Sequence, residues 1–253
     1  MRLSHGDVVV EVAPQRGALV TSLRVAERDV LFLDRATFED PTKNVRGGIP
    51  ILFPFAGRLA GDAFLPAGTQ MKQHGFVRSR PWVVREERSD GVRLSFVPDA
   101  ETRALYPYEY DLEFDVQLLR RGVQVELMIH NTGSRPLPAA PGWHPYFRSP
   151  AARKADIASD SVALAGRPTD EREFDFGLEA PATGRTRFEI PALGNLRVAF
   201  SPAMRHLQFW SQPGRDFVCI EPFYGPENTV NTDARLDVAP GRAVDLWMRI
   251  ELA

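Results

Sequence analysis

The stretch YDLEFDVQL, residues 110–118, alternates apolar and polar side chains without a break. Because successive side chains of a β-strand point to opposite faces, this alternation predicts a strand with one face on a core and the other in water. After the short RRG turn, the stretch VQVELMIHN predicts a second strand. The two strands are expected to form an antiparallel hairpin near the middle of the chain.

Strand patterns continue on both sides of this hairpin. The stretch WVVREERSDGVRLSFVP predicts another hairpin, because Ser89, Asp90 and Gly91 tolerate the left-handed backbone angles of a turn. Shorter strands are predicted over DVVVEVA, ALVTSLRV, LRVAF, HLQFW, FVCIEP and VDLWMRIEL. Helical periodicity is weak, and only DAETRAL predicts a turn or two of helix. Residues 149–187 are charged and irregular, so we expect long surface loops there.

Length and composition favour one all-β domain. The chain has 253 residues, a size that β-sandwiches and barrels often reach as one unit, so we expect a single domain over residues 1–253. Hydrophobic residues make up 43% and charged residues 25%, which is enough to build a sizeable core. The 21 prolines and 19 glycines divide the chain into short pieces. An antiparallel all-β architecture is the prediction that fits these features.

Charge and cysteine content limit the partners and the compartment. The net charge of -2 gives no reason to expect nucleic acid or an anionic membrane as a partner. Asp7 and Glu11 interrupt the start of the chain where a signal peptide needs an apolar core, and no apolar run approaches the roughly 20 residues of a membrane span. Cys219 is the only cysteine, so no internal disulfide can form. We therefore expect a cytoplasmic protein.

Three segments carry titratable residues among glycines, prolines and aromatic rings. They are RGGIPILFPFAGRL with QHGFVRSRPW, which hold Arg46, Arg58, His74 and Arg78; GWHPYF, which holds His144; and DFVCIEPFYGPENTVN, which holds Glu221. Pro222 is predicted to end the strand that carries Glu221. Because residues two apart share a strand face, Glu221 should point with Cys219 and away from Ile220.

Two histidines and a glutamate can move protons between the oxygens of a substrate. A carboxylate in apolar surroundings has a raised pKa and serves as a general base near neutral pH, and histidine is its commonest acid partner. His74, His144 and Glu221 lie about seventy residues apart, so no short zinc motif exists. A metal site would need ligands from distant strands.

These motifs resemble those of the aldose 1-epimerase, or galactose mutarotase-like, superfamily, and most closely its hexose and hexose-6-phosphate epimerase-like branch. The matching words are RGGIP, HGF at His74, LYPYEYDLEF at Leu105, HPYF at His144 and CIEP at Glu221, in the family's order. The resemblance implies a large antiparallel β-sandwich and interconversion of the α and β anomers of an aldose. It also implies His144 as the acid at the ring oxygen, Glu221 as the base at the anomeric hydroxyl and His74 as a second histidine that orients the sugar.

The chemistry implied by this resemblance needs no redox carrier and no metal, so we expect no cofactor. The partner is expected to be a small sugar or sugar phosphate, because arginine suits either hydroxyls or a phosphate. Arg46, Arg58 and Arg78 are the candidates, and Asp175 is a candidate for gripping a sugar hydroxyl. The chain has Phe55-Ala56-Gly57 where the phosphate-using branch commonly has Trp-Phe-Gly, and Gly57-Arg58 where classical mutarotases commonly have Asn-Arg.

Other functions remain open from the residues alone. A sugar-binding protein could keep the cleft without turnover, but it would not need a matched acid and base. A metal-dependent, cupin-like enzyme could use the same two histidines and glutamate, and would lose activity on chelation. An accessory domain for a larger glycan would need an exposed aromatic platform. The oligomeric state is not indicated by the sequence.

Overall fold

The computed structural model describes residues 1–164 and 168–253. Its strands are β1 Arg2–His5, β2 Val8–Ala13, β3 Leu19–Val25, β4 Arg28–Asp29, β5 Ile51–Leu52, β6 Ala63–Phe64, β7 Thr69–Gln70, β8 Trp82–Arg88, β9 Gly91–Phe96, β10 Tyr110–Leu119, β11 Gly122–Asn131, β12 Leu137–Ala139, β13 Gly142–Trp143, β14 Tyr146–Arg148, β15 Ala158–Ser159, β16 Phe174–Glu179, β17 Arg185–Ile190, β18 Gly194–Phe200, β19 His206–Ser211, β20 Phe217–Phe223, β21 Leu236–Val238 and β22 Ala243–Leu252.

The helices are short. They are α1 Arg35–Glu39 and α2 Ala100–Leu105, with 3-10 turns at Pro14–Arg16, Ala60–Asp62, Val77–Ser79, Ala151–Asp156 and Thr229–Asn231. Asp99 begins α2 with a capping box, in which its side chain accepts from the Thr102 amide and the Thr102 hydroxyl accepts from the Asp99 amide. Among the residues that the structure describes, no helix is long and apolar enough to cross a membrane.

Two large antiparallel sheets dominate the architecture. The first has eight strands in the order β15-β17-β18-β22-β11-β10-β9-β8, and the second has the order β16-β19-β20-β13-β5 with β14 also paired to β20. A four-stranded sheet, β1-β2-β3-β4, packs on the eight-stranded sheet, where β1 and β2 contact β10 and β3 contacts β11. The pairs β12-β21 and β6-β7 complete the described sheets.

The core lies between the two large sheets and follows from the period-2 pattern. In β10 every second residue is buried, from Tyr110 to Leu118. Aromatic contacts join the sheets: the rings of Phe114 and Trp143 are 5.9 Å apart, and those of Phe188 and Phe209 are 5.6 Å apart. The predicted antiparallel β-sandwich is therefore confirmed.

The local predictions are confirmed except at Pro222 and in one longer segment. The prediction that Pro222 ends its strand is wrong, because β20 continues to Phe223, which pairs with His206 and Gly142. Every predicted strand and both predicted hairpins are present, and DAETRAL contains α2. The prediction of surface loops over residues 149–187 is wrong, because β15, β16 and the start of β17 lie there; residues 165–167 are outside the described residues. In β16, Phe174 is buried and pairs with Ser211 of β19 in the second large sheet. The charged flanks and Gly177 hide the strand pattern of this short stretch.

Candidate active site

A cleft of about 230 Å³ opens beside the second large sheet. Its walls come from β16, β19 and β20 and from the loops around β5 and β13. The structure brings all seven residues that the sequence singled out to this one cleft: Arg46, Arg58, His74, Arg78, His144, Asp175 and Glu221. They span nearly the whole chain, so the fold, and not local sequence, assembles the site.

Backbone bonds fix the position of His144. The His144 amide donates to the Pro50 carbonyl at 3.1 Å, and the Tyr146 amide donates to the Gly48 carbonyl at 2.9 Å. The RGGIP and HPYF segments are thus bonded to each other directly. On the other side, β14 pairs with β20 so that Tyr146 lies opposite Cys219. This pairing places His144 beside Glu221.

His144 and Glu221 form a buried, unsatisfied pair. His144 Nε2 lies 3.4 Å from Glu221 Oε1, and the exposed fractions of the two residues are 7% and 1%. This contact lacks hydrogen-bond alignment, so neither carboxylate oxygen of Glu221 has a hydrogen-bond partner within the described residues. Burial raises the pKa of Glu221 and lowers the pKa of His144 to about 3, with Arg78 adding to the latter effect. Both groups therefore favour their uncharged forms.

The His144 ring is held by its neighbours. The Tyr146 ring stacks on it at 4.7 Å with an interplanar angle of 14°, and the Trp210 ring meets it edge-on at 5.8 Å. The ring of His74 also approaches edge-on, at 5.4 Å. Such contacts leave the imidazole little rotational freedom.

His74 is oriented by a two-way contact with Gly57. The His74 amide donates to the Gly57 carbonyl at 2.9 Å, and the Gly57 amide donates to His74 Nδ1 at 3.0 Å. Because Nδ1 accepts, neutral His74 carries its proton on Nε2. Burial, assisted by Arg78, His144 and Arg58, lowers the pKa of His74 well below its usual range. His74 is therefore a neutral N–H donor.

The backbone at His74 supports this orientation. His74 has φ of 69°, in the left-handed region that costs a non-glycine residue energy, and Gly75 follows with φ of 66°. A side chain at Gly75 would come within 2.1 Å of the Phe53 carbonyl oxygen. The HG dipeptide thus turns sharply against β5 and projects the imidazole into the cleft.

The cleft arginines lack carboxylate partners. Arg46, Arg58 and Arg78 form no ion pair within the described residues. The guanidinium of Arg46 lies over the Trp210 ring at 5.3 Å, and Arg78 donates to the Gln73 carbonyl at 3.1 Å. Burial lowers the pKa of Arg78. Guanidinium groups without an ion-pair partner are suited to an anionic or hydroxyl-rich ligand, although the acidic residues Glu173, Asp175, Glu221 and Glu227 line the same cleft.

Several cleft residues were not found from sequence. They are Asn44, Val45, Gln73, Glu173, Gln208, Gln212 and Glu227, together with the aromatic residue Trp210. Tyr146 and Phe223, which belong to the motif segments, also line the cleft. Gln208 and Trp210 stand on the outward face of β19, two residues apart, while Leu207 and Phe209 are buried in the core. A signal was present, because HLQFW places a large aromatic residue on its polar face. Trp210 Nε1 donates to Glu173 at 2.6 Å, which fixes its indole at the cleft wall.

Among the described residues, one buried trio beside the cleft could hold a metal ion. His144, Cys219 and Glu221 each offer one ligand atom, and these atoms lie within 4.8 Å of one another. Cys219 and Glu221 share a face of β20, as their spacing predicts. The guanidiniums of Arg46 and Arg78 are close enough to affect the pKa values of this trio, and their positive charge opposes a cation there.

The antiparallel sandwich and its histidine- and glutamate-lined cleft define a galactose mutarotase-like protein. A protein of Synechocystis sp. PCC 6803, Slr1438, has a solved structure that superposes with a TM-score of 0.91 at 30% identity, covering 99% of this chain and 94% of that one. The aldose 1-epimerase family model matches residues 1–234. The chain therefore belongs to the aldose 1-epimerase family.

Other relatives are more distant or match over less of their length. A protein of Escherichia coli K12 whose provisional name is glucose-6-phosphate 1-epimerase is 31% identical over 171 residues, which are 65% of this chain and 51% of that protein. The match thus spans about half of that relative. A galactose mutarotase related enzyme of Lactobacillus acidophilus has a TM-score of 0.79 at 17% identity, with 100% of this chain and 97% of that chain covered. This last likeness concerns the fold alone.

Proposed function

We propose that this chain acts, as one domain over residues 1–253, as an aldose 1-epimerase that interconverts the α and β anomers of a hexose. The observation that carries the proposal is the buried pair His144 Nε2 and Glu221 Oε1, 3.4 Å apart at the cleft wall. Ring opening needs a base at the anomeric hydroxyl and an acid at the ring oxygen. Because these two oxygens are bonded to the same carbon, an acid and a base must lie side by side.

Ring opening moves two protons. Glu221 takes the proton of the anomeric hydroxyl, His144 gives a proton to the ring oxygen, and the bond between the anomeric carbon and the ring oxygen breaks. The product is the open aldehyde, which turns about its terminal carbon–carbon bond. On closure Glu221 returns its proton to the aldehyde oxygen, while His144 removes the proton of the attacking hydroxyl. The enzyme ends as it began.

The pKa directions favour a protonated Glu221 and a neutral His144, so ring opening requires the proton to pass first from Glu221 to His144. The raised pKa of Glu221 and the lowered pKa of His144 mean that the pair shares one proton without separated charges. Sugar hydroxyls bring polar partners to both groups, and this favours the form with the proton on His144. The neutral N–H of His74 then donates to a sugar oxygen, and Asp175 accepts from a sugar hydroxyl.

A hexose 6-phosphate is a second candidate substrate, favoured by the unpaired arginines. Three guanidiniums, those of Arg46, Arg58 and Arg78, line the cleft without an ion-pair partner within the described residues, although the acidic residues Glu173, Asp175, Glu221 and Glu227 line it too. Arginine binds phosphate oxygens through paired, charge-assisted hydrogen bonds. The provisional name of the Escherichia coli relative agrees with this candidate.

The test is anomer exchange measured by NMR on glucose, galactose and glucose 6-phosphate. We expect the wild type to accelerate exchange on at least one sugar and His144→Asn to lose at least about a hundredfold, because positioned acid–base groups contribute about 10²–10⁴-fold. The matched control is His130→Asn, since His130 lies on β11 outside the cleft. It should exchange like the wild type.

Each alternative gives its own result. A folded His144→Asn protein with full exchange would contradict the acid role. Sugar binding without acceleration by the wild type would favour a carbohydrate-binding protein. Treatment with a chelator should leave the rate unchanged, and loss of activity that returns with added metal would favour a metal-dependent enzyme built on His144, Cys219 and Glu221.

A further inference from the structure

We propose that His206, which does not line the cleft, is a positioning residue that fixes the cleft carboxylate Asp175 through the side chain of Gln208. His206 Nε2 lies 2.8 Å from Gln208 Oε1, and Gln208 Nε2 donates to Asp175 Oδ1 at 2.5 Å. Gln208 and Asp175 line the cleft. The three side chains form a row that crosses from β19 to β16.

The charge of Asp175 sets the direction of every hydrogen bond in this row. An ionised carboxylate only accepts, so Gln208 must turn its NH₂ group towards Asp175. Its carbonyl oxygen then faces His206, and His206 must donate from Nε2. The amide of Gln208 can flip and the imidazole can change tautomer, but neither change is compatible with both bonds. His206 therefore removes the rotational choice of Gln208.

The strand pair leaves room for this row at a single glycine. Gly177 of β16 lies opposite Gln208 of β19. A side chain at Gly177 would come within 2.2 Å of His206 Cε1 and 2.6 Å of His206 Nε2. On its other side the His206 ring stacks on Phe223 at 6.0 Å with an interplanar angle of 26°. The imidazole is thus held between β16 and the end of β20.

The consequence concerns the free oxygen of Asp175. Oδ1 is occupied by Gln208, whereas Oδ2 has no hydrogen-bond partner within the described residues. Asp175 is exposed on β16, so its carboxylate would be free to rotate without the hydrogen bond from Gln208. The row holds Oδ2 available to a ligand hydroxyl at no ordering cost on binding. This last step rests on the proposed function, whereas the row itself does not.

The first test is the protonation of His206, which needs no activity. In ¹⁵N NMR at mildly alkaline pH, the ring of His206 should carry its proton on Nε2. Gln208→Leu should shift the ring nitrogens, because Nε2–H loses its acceptor, and should admit a larger minor population with the proton on Nδ1. A proton on Nδ1 in the wild type, or unchanged nitrogen shifts in Gln208→Leu, would overturn the proposal even if no sugar were ever turned over.

The second test is a double-mutant cycle on the preferred sugar. His206→Phe keeps an aromatic ring against Phe223 but loses the N–H, and it should raise KM about tenfold with kcat within about twofold, since one uniform binding contact is weakened. In an Asp175→Asn background the same change should alter KM by less than about twofold. Gly177→Ala should resemble His206→Phe, because it displaces the imidazole.

The cycle separates positioning from general stability. A merely structural His206 would give the same KM change with Asp175 or Asn at position 175, and that additive result would overturn the proposal. His130→Phe on β11 is the matched control and should leave KM unchanged. If the wild type turns over none of the sugars, the proposed function fails, and the tautomer measurement still decides the proposal.

Discussion

Two carboxylates on neighbouring layers of the sandwich have opposite surroundings. Asp115 of β10 accepts from Arg88 at 2.7 and 2.8 Å, and Arg93 contacts it at 3.3 Å. Glu221 of β20 is more deeply buried, yet its oxygens have no hydrogen-bond partner among the described residues. A carboxylate that serves only the fold is partnered. A carboxylate that is buried without partners does not stabilise the fold, so Glu221 is a candidate for a chemical role.

The arginines show the same contrast. Arg88 and Arg93 on the eight-stranded sheet form ion pairs with Asp115 and Glu86. Arg46 and Arg58 at the cleft form none within residues 1–164 and 168–253. The positive charge at the cleft is therefore available to a ligand, whereas that on the outer face of the large sheet is already neutralised.

The largest expected effect is on the rate of anomer exchange, which should depend on Glu221 and not on Asp115. Glu221→Gln should lower anomer exchange about 10³-fold, because it removes the proposed base without changing side-chain volume. Asp115→Asn, the matched control on the eight-stranded sheet, should keep full activity. Both rates are measured by NMR on the preferred sugar. Equal activity of the two variants would contradict the proposal that Glu221 is the base and that Asp115 serves only the fold.

The next largest effect is on the preference for a phosphorylated over an unphosphorylated hexose, which should depend on the cleft arginines. Arg46→Gln should lower kcat/KM for a hexose 6-phosphate by about 10- to 100-fold, since one charge-assisted contact to phosphate is lost. The same variant should change kcat/KM for the unphosphorylated hexose by less than about threefold. Arg93→Gln is the control and should alter neither. Equal losses on both sugars would show that Arg46 does not read the phosphate.

The sequence predicted the eight-stranded sheet, where Asp115 is paired with arginines, better than it predicted the candidate active site. Alternation over residues 110–118 is enough to place β10, because one face of that strand is wet. All seven residues of β20 are buried, so its pattern does not separate the face that carries Glu221 from the face on the core. The family motifs identified His144 and Glu221, but Gln208 and His206 are ordinary outward residues of a predicted strand. Their row depends on Gly177 in β16, a strand that the sequence did not reveal.

The lack of an ion-pair partner for Arg46 within the described residues could not be predicted from the sequence either. Arg88 and Arg46 are equally charged in the sequence, and only the pairing of β8, β9 and β10 brings Arg88 to Asp115. Partners of charged side chains depend on contacts between distant segments. The local sequence therefore does not predict these partners, whereas the alternation of apolar and polar residues in a half-buried strand is a local feature that does predict the strand.

The smallest expected effect is on stability, and its sign is opposite for the two carboxylates. Burial raises the pKa of Glu221 above the usual value of 4.5, so stability is lost as pH rises from about 4.5 towards the folded-state pKa. Glu221→Gln removes this loss and should stabilise the protein by about 1–3 kcal/mol near neutral pH. That gain corresponds to a rise in Tm of about 2–4 °C per kcal/mol for a chain of this size.

Asp115→Asn should have the opposite effect on stability. It breaks a partly exposed ion pair and should lower stability by about 0.5–1 kcal/mol near neutral pH. Thermal unfolding of both variants and the wild type, repeated at neutral pH and near pH 4.5, measures the two effects. The advantage of Glu221→Gln should nearly vanish at the lower pH, because the glutamate is then protonated in the folded state and about half protonated in the unfolded state. A Glu221→Gln protein less stable than the wild type at neutral pH would mean that the carboxylate is partnered and holds the fold, as Asp115 does.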